Sequence, residues 1–290
     1  MRPPPSTAAV ALLLASLSAC KRAAPPPALS LDVAPSARFS PEPAPAGQPL
    51  AVTYRWAVGS RFERTETPYV VFVHFVARDG SVLFTDDHTP SPPVSSWEPG
   101  AIFEYARLVF THRQFPGPLT VRLGLYDARD GRRVALAAEH VSQGAYRVGA
   151  VEVRPHPPQQ GTVFYSGFSE PWTHEQQPFE SFRWMAREGI VACRNPRAEA
   201  VFFLRGSADV RGVAAPPRLR VSVGGFVREH VMPSEAPFTI ALPIDEERLG
   251  SQDFTDVTLT MSEGRLSVDR VVLLPKTEVT PEVLAAAAVL

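Results

Sequence analysis

Cysteine is nearly missing from this chain: two in 290 residues, Cys20 and Cys193. One disulfide is the most that they could form, and a disulfide framework is excluded. An excess of either charge is also missing, since 29 Lys and Arg face 30 Asp and Glu for a formal net charge of −1. With no basic stripe or tail to neutralise phosphates, nucleic acid is not an expected partner. Long hydrophobic runs are lacking too. The longest, from Ala8 to Leu17, spans about ten residues, against the ~20 needed to cross a bilayer. Seven histidines occur, yet none stands in a His-Glu-x-x-His or Cys/His spacing that would gather a metal on one face, so neither a metal nor another cofactor is expected.

What the chain has in abundance is proline, 31 in all. Proline donates no backbone hydrogen bond and fixes its own φ, so it punctuates strands and stiffens linkers. Here the prolines cluster at Pro25 to Pro27, Pro41 to Pro49, Pro90 to Pro93, Pro155 to Pro158 and Pro216 to Pro217, between apolar runs. That placement suits an all-β protein.

Arg2, the apolar run and the small residues after it have the layout of a secretory signal. Leu17-Ser18-Ala19-Cys20 resembles the lipobox of bacterial lipoproteins. The resemblance implies that residues 1–19 are a signal peptide, that Cys20 is lipidated, and that Lys21, standing where Asp favours inner-membrane retention, directs the protein to the outer membrane. An ordinary cleavable signal with an incidental Cys20 is the alternative. Lipidation of Cys20 leaves Cys193 without a disulfide partner; following Ile190, Val191 and Ala192, it reads as a small buried hydrophobe. Residues 20–38, rich in Ala, Pro and Ser, read as a disordered tether that reaches about 50 Å in polyproline geometry.

Residues 39–153 carry a run of strand signals. Leu50, Val52, Tyr54 and Trp56 alternate onto one face, and Tyr69 to Val76 is apolar on both, as in a central strand. Ala-Arg-Asp-Gly occurs at 77–80 and again at 128–131, each time between apolar strands, which predicts two hairpins of the same turn chemistry. The order Pro45-Ala46-Gly47, Phe72-Val73-His74, Asp79-Gly80, Trp97-Glu98-Pro99-Gly100 and Gly124-Leu125-Tyr126-Asp127 resembles the immunoglobulin-like accessory domains of bacterial glycosyltransferase-like envelope proteins. It implies a sandwich and carries no activity with it. A linker at 154–161 leads to a second antiparallel sandwich, residues 162–275, of jelly-roll type. Phe238, Ile240, Leu242 and Val257, Leu259, Met261 alternate within it, and Gly224-Gly225 closes a hairpin between Val223 and Phe226. Residues 276–290 hold a short helix with Thr280 as N-cap and Pro281 at its first position.

Chemistry is harder to find. Asp86, Asp87 and His88 read as a solvated loop at a strand end, with calcium as the sharper alternative. Gly167-Phe168-Ser169-Glu170-Pro171 lacks the second glycine of a nucleophile elbow. Glu170, Glu175 and Glu180 would serve glycoside hydrolysis only if two of them faced each other across a cleft. Aromatics are the stronger signal. Tyr165, Phe168, Trp172, His174, Phe179, Phe182 and Trp184 fall within twenty residues, and aromatic rings stack on sugar faces and anchor interfaces. Trp172 and His174, with Trp97 in the first domain, are the candidate ligand-binding residues. Trp184 and Trp97 have packing as their plainer reading. The expectation is a non-enzymatic envelope lipoprotein that binds surface polysaccharide or an envelope protein, against a carbohydrate-active hydrolase on the second sandwich or a spacer without a ligand.

Overall fold

The computed structural model describes residues 30–142, 144–155, 161–174 and 177–288. The lipobox and the leader lie outside them, as does most of the 154–161 linker. The fold is all-β, two sandwiches closed by one short helix.

The first sandwich uses β1 (Ser30–Leu31), β2 (Val33–Ser40), β3 (Ala44–Pro45), β4 (Pro49–Val58), β5 (Tyr69–Val76), β6 (Val82–Thr85), β7 (Ile102–Phe110), β8 (Gly117–Asp127), β9 (Ala135–Leu136), β10 (His140–Ser142) and β11 (Ala145–Arg154). One sheet has the order β2-β4-β7; the other runs β10-β11-β8-β5-β6, with β3 beside β11. The alternation in β4 holds: Leu50, Val52, Tyr54 and Trp56 are all fully buried in the core.

Two expectations need correction. The tether does not extend to residue 38, because β2 pairs along its whole length with β4, from Val33 opposite Val58 to Ser40 opposite Ala51. Pro35 hid this strand from a propensity reading; it is tolerated because β2 is the sheet edge. The second Ala-Arg-Asp-Gly turn does not return a full hairpin strand. After the bridge from Tyr126 to Arg133 the chain leaves β8, and β9 pairs in parallel with β1, which buries Val134 and Leu136 in the core.

The second sandwich comprises β12 (Thr162–Phe168), β13 (Trp172–His174), β14 (Gln177–Arg194), β15 (Ala200–Asp209), β16 (Arg218–Val223), β17 (Phe226–Val231), β18 (Phe238–Ile244), β19 (Phe254–Met261) and β20 (Arg265–Pro275), with a turn of helix, α1 (Glu246–Leu249), before β19. They form one sheet in the order β17-β16-β19-β14-β20-β15-β18, and β12 and β13 add to β14. Strand β14 makes this possible. Its first half pairs with β20 over 183–185 and its second half with β19 over 188–194, so the sheet turns back on itself. Leu219, Val221, Val257 and Leu259 from one wing then meet Phe202, Leu204, Leu266 and Val268 from the other in a single core. Gly224 and Gly225 close the β16–β17 hairpin with φ of 50° and 79°, the left-handed pair that glycine adopts without strain. Cys193 lies in this core, and burial pushes its thiol up to about 12, so it stays protonated and packs as an apolar side chain.

The two sandwiches are joined by apolar packing. Val201, Phe203 and Leu274 turn away from the second core to meet Ala51, Leu108 and Phe110 of the first sandwich, and Val283 and Ala286 of the C-terminal helix α2 (Pro281–Ala288) complete the cluster. Phe110 and Phe203 contact edge to face with ring centres 6.5 Å apart. Each large side chain buried there contributes about 1.5–3 kcal/mol. Helix α2, too short to be stable alone, forms because it docks; Thr280 caps it through Oγ1, 3.4 Å from the Val283 N–H.

Candidate functional site

Two of the features singled out in the first sandwich are structural. Trp97 is fully buried, which corrects its assignment as a ligand-binding residue. A short 3-10 turn at Val94–Ser96 swings it inward, where it stacks on Phe103 at 5.6 Å, packs beside Trp56 at 5.3 Å, and donates from Nε1 to the Pro92 carbonyl at 3.0 Å. The Glu98-Pro99-Gly100 that follows it is a surface turn, and packing, the plainer reading of this tryptophan, holds.

Asp86 and His88 are also buried, not part of a solvated loop. They continue β6 beside β5: Asp86 N–H donates to Val73, His88 N–H to Val71, and the Asp87 carboxylate accepts from the Val73 N–H at 3.0 Å. The Asp86 carboxylate receives both Nε and Nη2 of Arg107 at 2.9–3.0 Å and the Tyr54 hydroxyl at 2.9 Å. His88 lies between the Asp86 carbonyl, 2.6 Å from Nδ1, and the Tyr105 hydroxyl, 2.8 Å from Nε2. A carbonyl can only accept, so the ring proton sits on Nδ1 and Nε2 accepts from Tyr105. The network therefore bridges the two sheets. No group of three metal-ligating side chains occurs among the described residues.

Burial lowers the His88 pKa to about 4, helped by the charge of Arg107 and opposed by that of Asp86. The unfolded chain, with an ordinary histidine near 6.5, binds more protons in this window, so stability is complete above about pH 6.5 and falls as pH drops towards 4. The gap corresponds to about 3 kcal/mol. Urea unfolding between pH 4 and 7 should show this loss in the wild type and a shallower slope in His88→Gln; equal slopes would remove His88 from the account.

The exposed aromatics belong to the second sandwich, around β13 and β14. Trp172 is 58% exposed and Tyr165 on β12 is 76% exposed. His174 ends β13, opposite Gln177; its side chain, like those of Phe179 and Glu180, lies outside the described set, as does Glu175. Directly opposed residues of an antiparallel pair share a face. Trp172 opposes Phe182, and Trp184, two residues on, opposes Ser267, which in turn opposes Ser207. These side chains therefore form one surface, an aromatic end running into a polar one. Phe182 meets Trp184 edge to face at 5.6 Å, and the Arg265 guanidinium lies over the Trp184 ring at 4.8 Å. Arg265 also donates to Asp209 at 2.8 Å, and Arg211 holds the same carboxylate through two bonds of 2.9 and 3.0 Å. Those bonds hold the Asp209 carboxyl well below the usual carboxylate range. Asp209 and Arg265 are 56 positions apart, and only the pairing of β15 with β20 brings them together; no local motif marks them. Trp184, read as a core residue, is half-buried under Arg265.

The other face of the same hairpin opens into a cleft of about 370 Å³ between the two sandwiches. It lies where β14 parts from β20, whose pairing with β14 covers Arg183 to Met185 only, and Asp269 to Leu273 of β20 line its floor. His112, Arg113 and Gln114 face it from the first sandwich; Phe164, Arg183 and Arg270 face it from the second. Asp269 is the one carboxylate among the described lining residues. Glu170 is exposed. The Ser169 hydroxyl donates to the Glu170 carbonyl and accepts from the Trp184 N–H, closing β12 onto β14.

No protein-family model and no characterised protein sequence matches this chain. Solved structures similar to parts of it include a family GH115 4-O-methyl-α-glucuronidase with specificity for decorated arabinogalactans (10% identity, TM-score 0.29, 43% of this chain and 19% of that one). A second is the CBM51-2 and INT domains of Clostridium perfringens ZmpB with GlcNAc (11% identity, TM-score 0.25, 55% and 38%). A third is a carbohydrate-binding module described as one of the β-sandwich super family (12% identity, TM-score 0.25, 83% and 98%). The chain thus spans less than two fifths of the first two structures. At these TM-scores the likenesses bear on neither the chemistry nor the position of a site in this protein.

Proposed function

We propose that this is a lipid-anchored protein of the bacterial outer membrane, held by Cys20, that binds an envelope polysaccharide without cleaving it. The observation that carries the binding role is Trp172. A tryptophan 58% open to solvent, fixed on a paired strand and flanked by Phe182, Trp184 and the Asp209–Arg265–Arg211 cluster, offers what a sugar requires. The ring covers the apolar face of a pyranose, and the charged groups bond its hydroxyls. Leaving such a ring in water gains nothing for stability. The leader and the Leu17-to-Cys20 segment support the envelope location.

The test uses the soluble form starting at Lys21 on a glycan array and on isolated cell-wall material. Retention of a defined glycan class, lost by about tenfold or more in Trp172→Ala, is the expected result; one anchor ring at a contact centre accounts for such a loss. A wild-type protein retained by neither glycan nor cell wall would end this reading.

A further inference from the structure

The cleft on the reverse of the β13–β14 hairpin has a chemistry different from that of the aromatic surface. Arg113, Arg183 and Arg270 line it, and Asp269 is the one carboxylate among the described lining residues. That carboxylate lies 4.0 Å from Arg205 on the neighbouring strand β15. Among the described residues Arg113 and Arg183 form no ion pair; Arg183 donates one bond from Nη1 to the Ser169 carbonyl at 2.7 Å and lies over the Phe164 ring at 5.0 Å. A carbonyl and a ring fix where the guanidinium sits without cancelling its charge. His112 is buried, and its Nδ1 accepts from the Gln114 N–H at 3.1 Å, which places the proton of the neutral ring on Nε2.

We infer that this cleft is a second binding site, for the oxyanion of an acidic saccharide: a carboxylate, as in a uronic acid, or a phosphate. The positive charges of Arg113 and Arg183, one from each sandwich, between walls that hold the sandwiches together by apolar packing, focus the field on one spot. The planar fork of Arg183, already oriented by Ser169 and Phe164, suits the two oxygens of such a group. A neutral sugar gains nothing from this charge. The site is built from groups other than Trp172, so it does not depend on the aromatic surface being a glycan platform.

The experiment is titration calorimetry of the soluble form from Lys21 with three probes at low and moderate salt: a galacturonic acid trisaccharide, its neutral galactose counterpart, and inorganic phosphate. The acidic trisaccharide or phosphate is expected to bind, more weakly as salt rises, and the neutral trisaccharide to bind this cleft at least tenfold more weakly. Whichever of the two anions binds identifies the source of the oxyanion. Arg113→Ala, an exposed residue without an ion pair, and Arg183→Lys, which keeps the charge but loses the fork, should each weaken binding about fivefold to tenfold with unchanged thermal unfolding. Trp172→Ala should leave it unchanged, so failure here and failure of the aromatic surface read separately. Absence of binding by both anions, or binding that neither arginine variant weakens, would overturn the inference.

Discussion

Replacing Asp86 with alanine should cost the first sandwich about 3–5 kcal/mol, the range for breaking a buried pair from one side. The variant leaves the largely buried guanidinium of Arg107 without its anion and the Tyr54 hydroxyl without its acceptor. Both groups lie between two closed sheets, where water does not easily replace the lost partner. A companion variant separates the pair from its surroundings. Asp86→Ala with Arg107→Leu removes both charges, and should recover part of the loss because no unpaired ion remains. Denaturant unfolding followed at the tryptophans of this sandwich measures both. A loss below about 1 kcal/mol for Asp86→Ala would mean that the network is solvated and not part of the core.

The largest effect on location is expected from Cys20→Ser. A lipidated cysteine carries a diacylglycerol and an N-acyl chain, and each buried methylene contributes about 0.8 kcal/mol to membrane binding. Hydroxyl oxygen in place of the thiol gives no thioether, so the variant should take up no labelled fatty acid in cells, whereas the wild type should take it up and yield an N-terminal peptide beginning at residue 20 with added lipid mass. A labelled Cys20→Ser protein, or a wild-type N-terminus elsewhere, would contradict the anchor.

The sequence disclosed the fold wherever one face alone meets a core. Leu50 to Trp56 and Val257 to Met261 alternate because the pleat sends every second side chain inward, and Gly224-Gly225 marks its hairpin because few other residues adopt both angles. Where a strand is held by its neighbours, the letters say little. Strand β2 is Val-Ala-Pro-Ser-Ala-Arg-Phe-Ser, a poor strand by propensity, and it forms because β4 offers it a paired edge. The apolar runs Ala200 to Leu204 and Val271 to Leu274 do carry a signal for the contact between sandwiches. Unbroken apolar strands are buried on both faces, and one of those faces had to find a cover outside its own domain.

The site was legible in part. Trp172 stands beside Pro171 in a segment dense with aromatics, where packing and exposure are near-even readings, and it is open to solvent. Trp97, a ligand candidate with packing as its plainer reading, is buried; a loop context does not by itself reveal which way a side chain turns. Asp86 and His88 look like surface polar residues, and their partners Tyr54, Tyr105 and Arg107 come from two other strands. Asp209 and Arg265 become neighbours only through a strand register. Polar residues at a buried junction leave no periodic trace, since each is paid for by a partner distant in sequence.

The central claim is that Trp172 anchors an envelope glycan. Titration calorimetry of the array-selected glycan into the soluble wild type and Trp172→Ala tests it most directly. Affinity lower by about tenfold in the variant, with an unchanged unfolding midpoint, is the predicted result; equal affinity in the two proteins would contradict it.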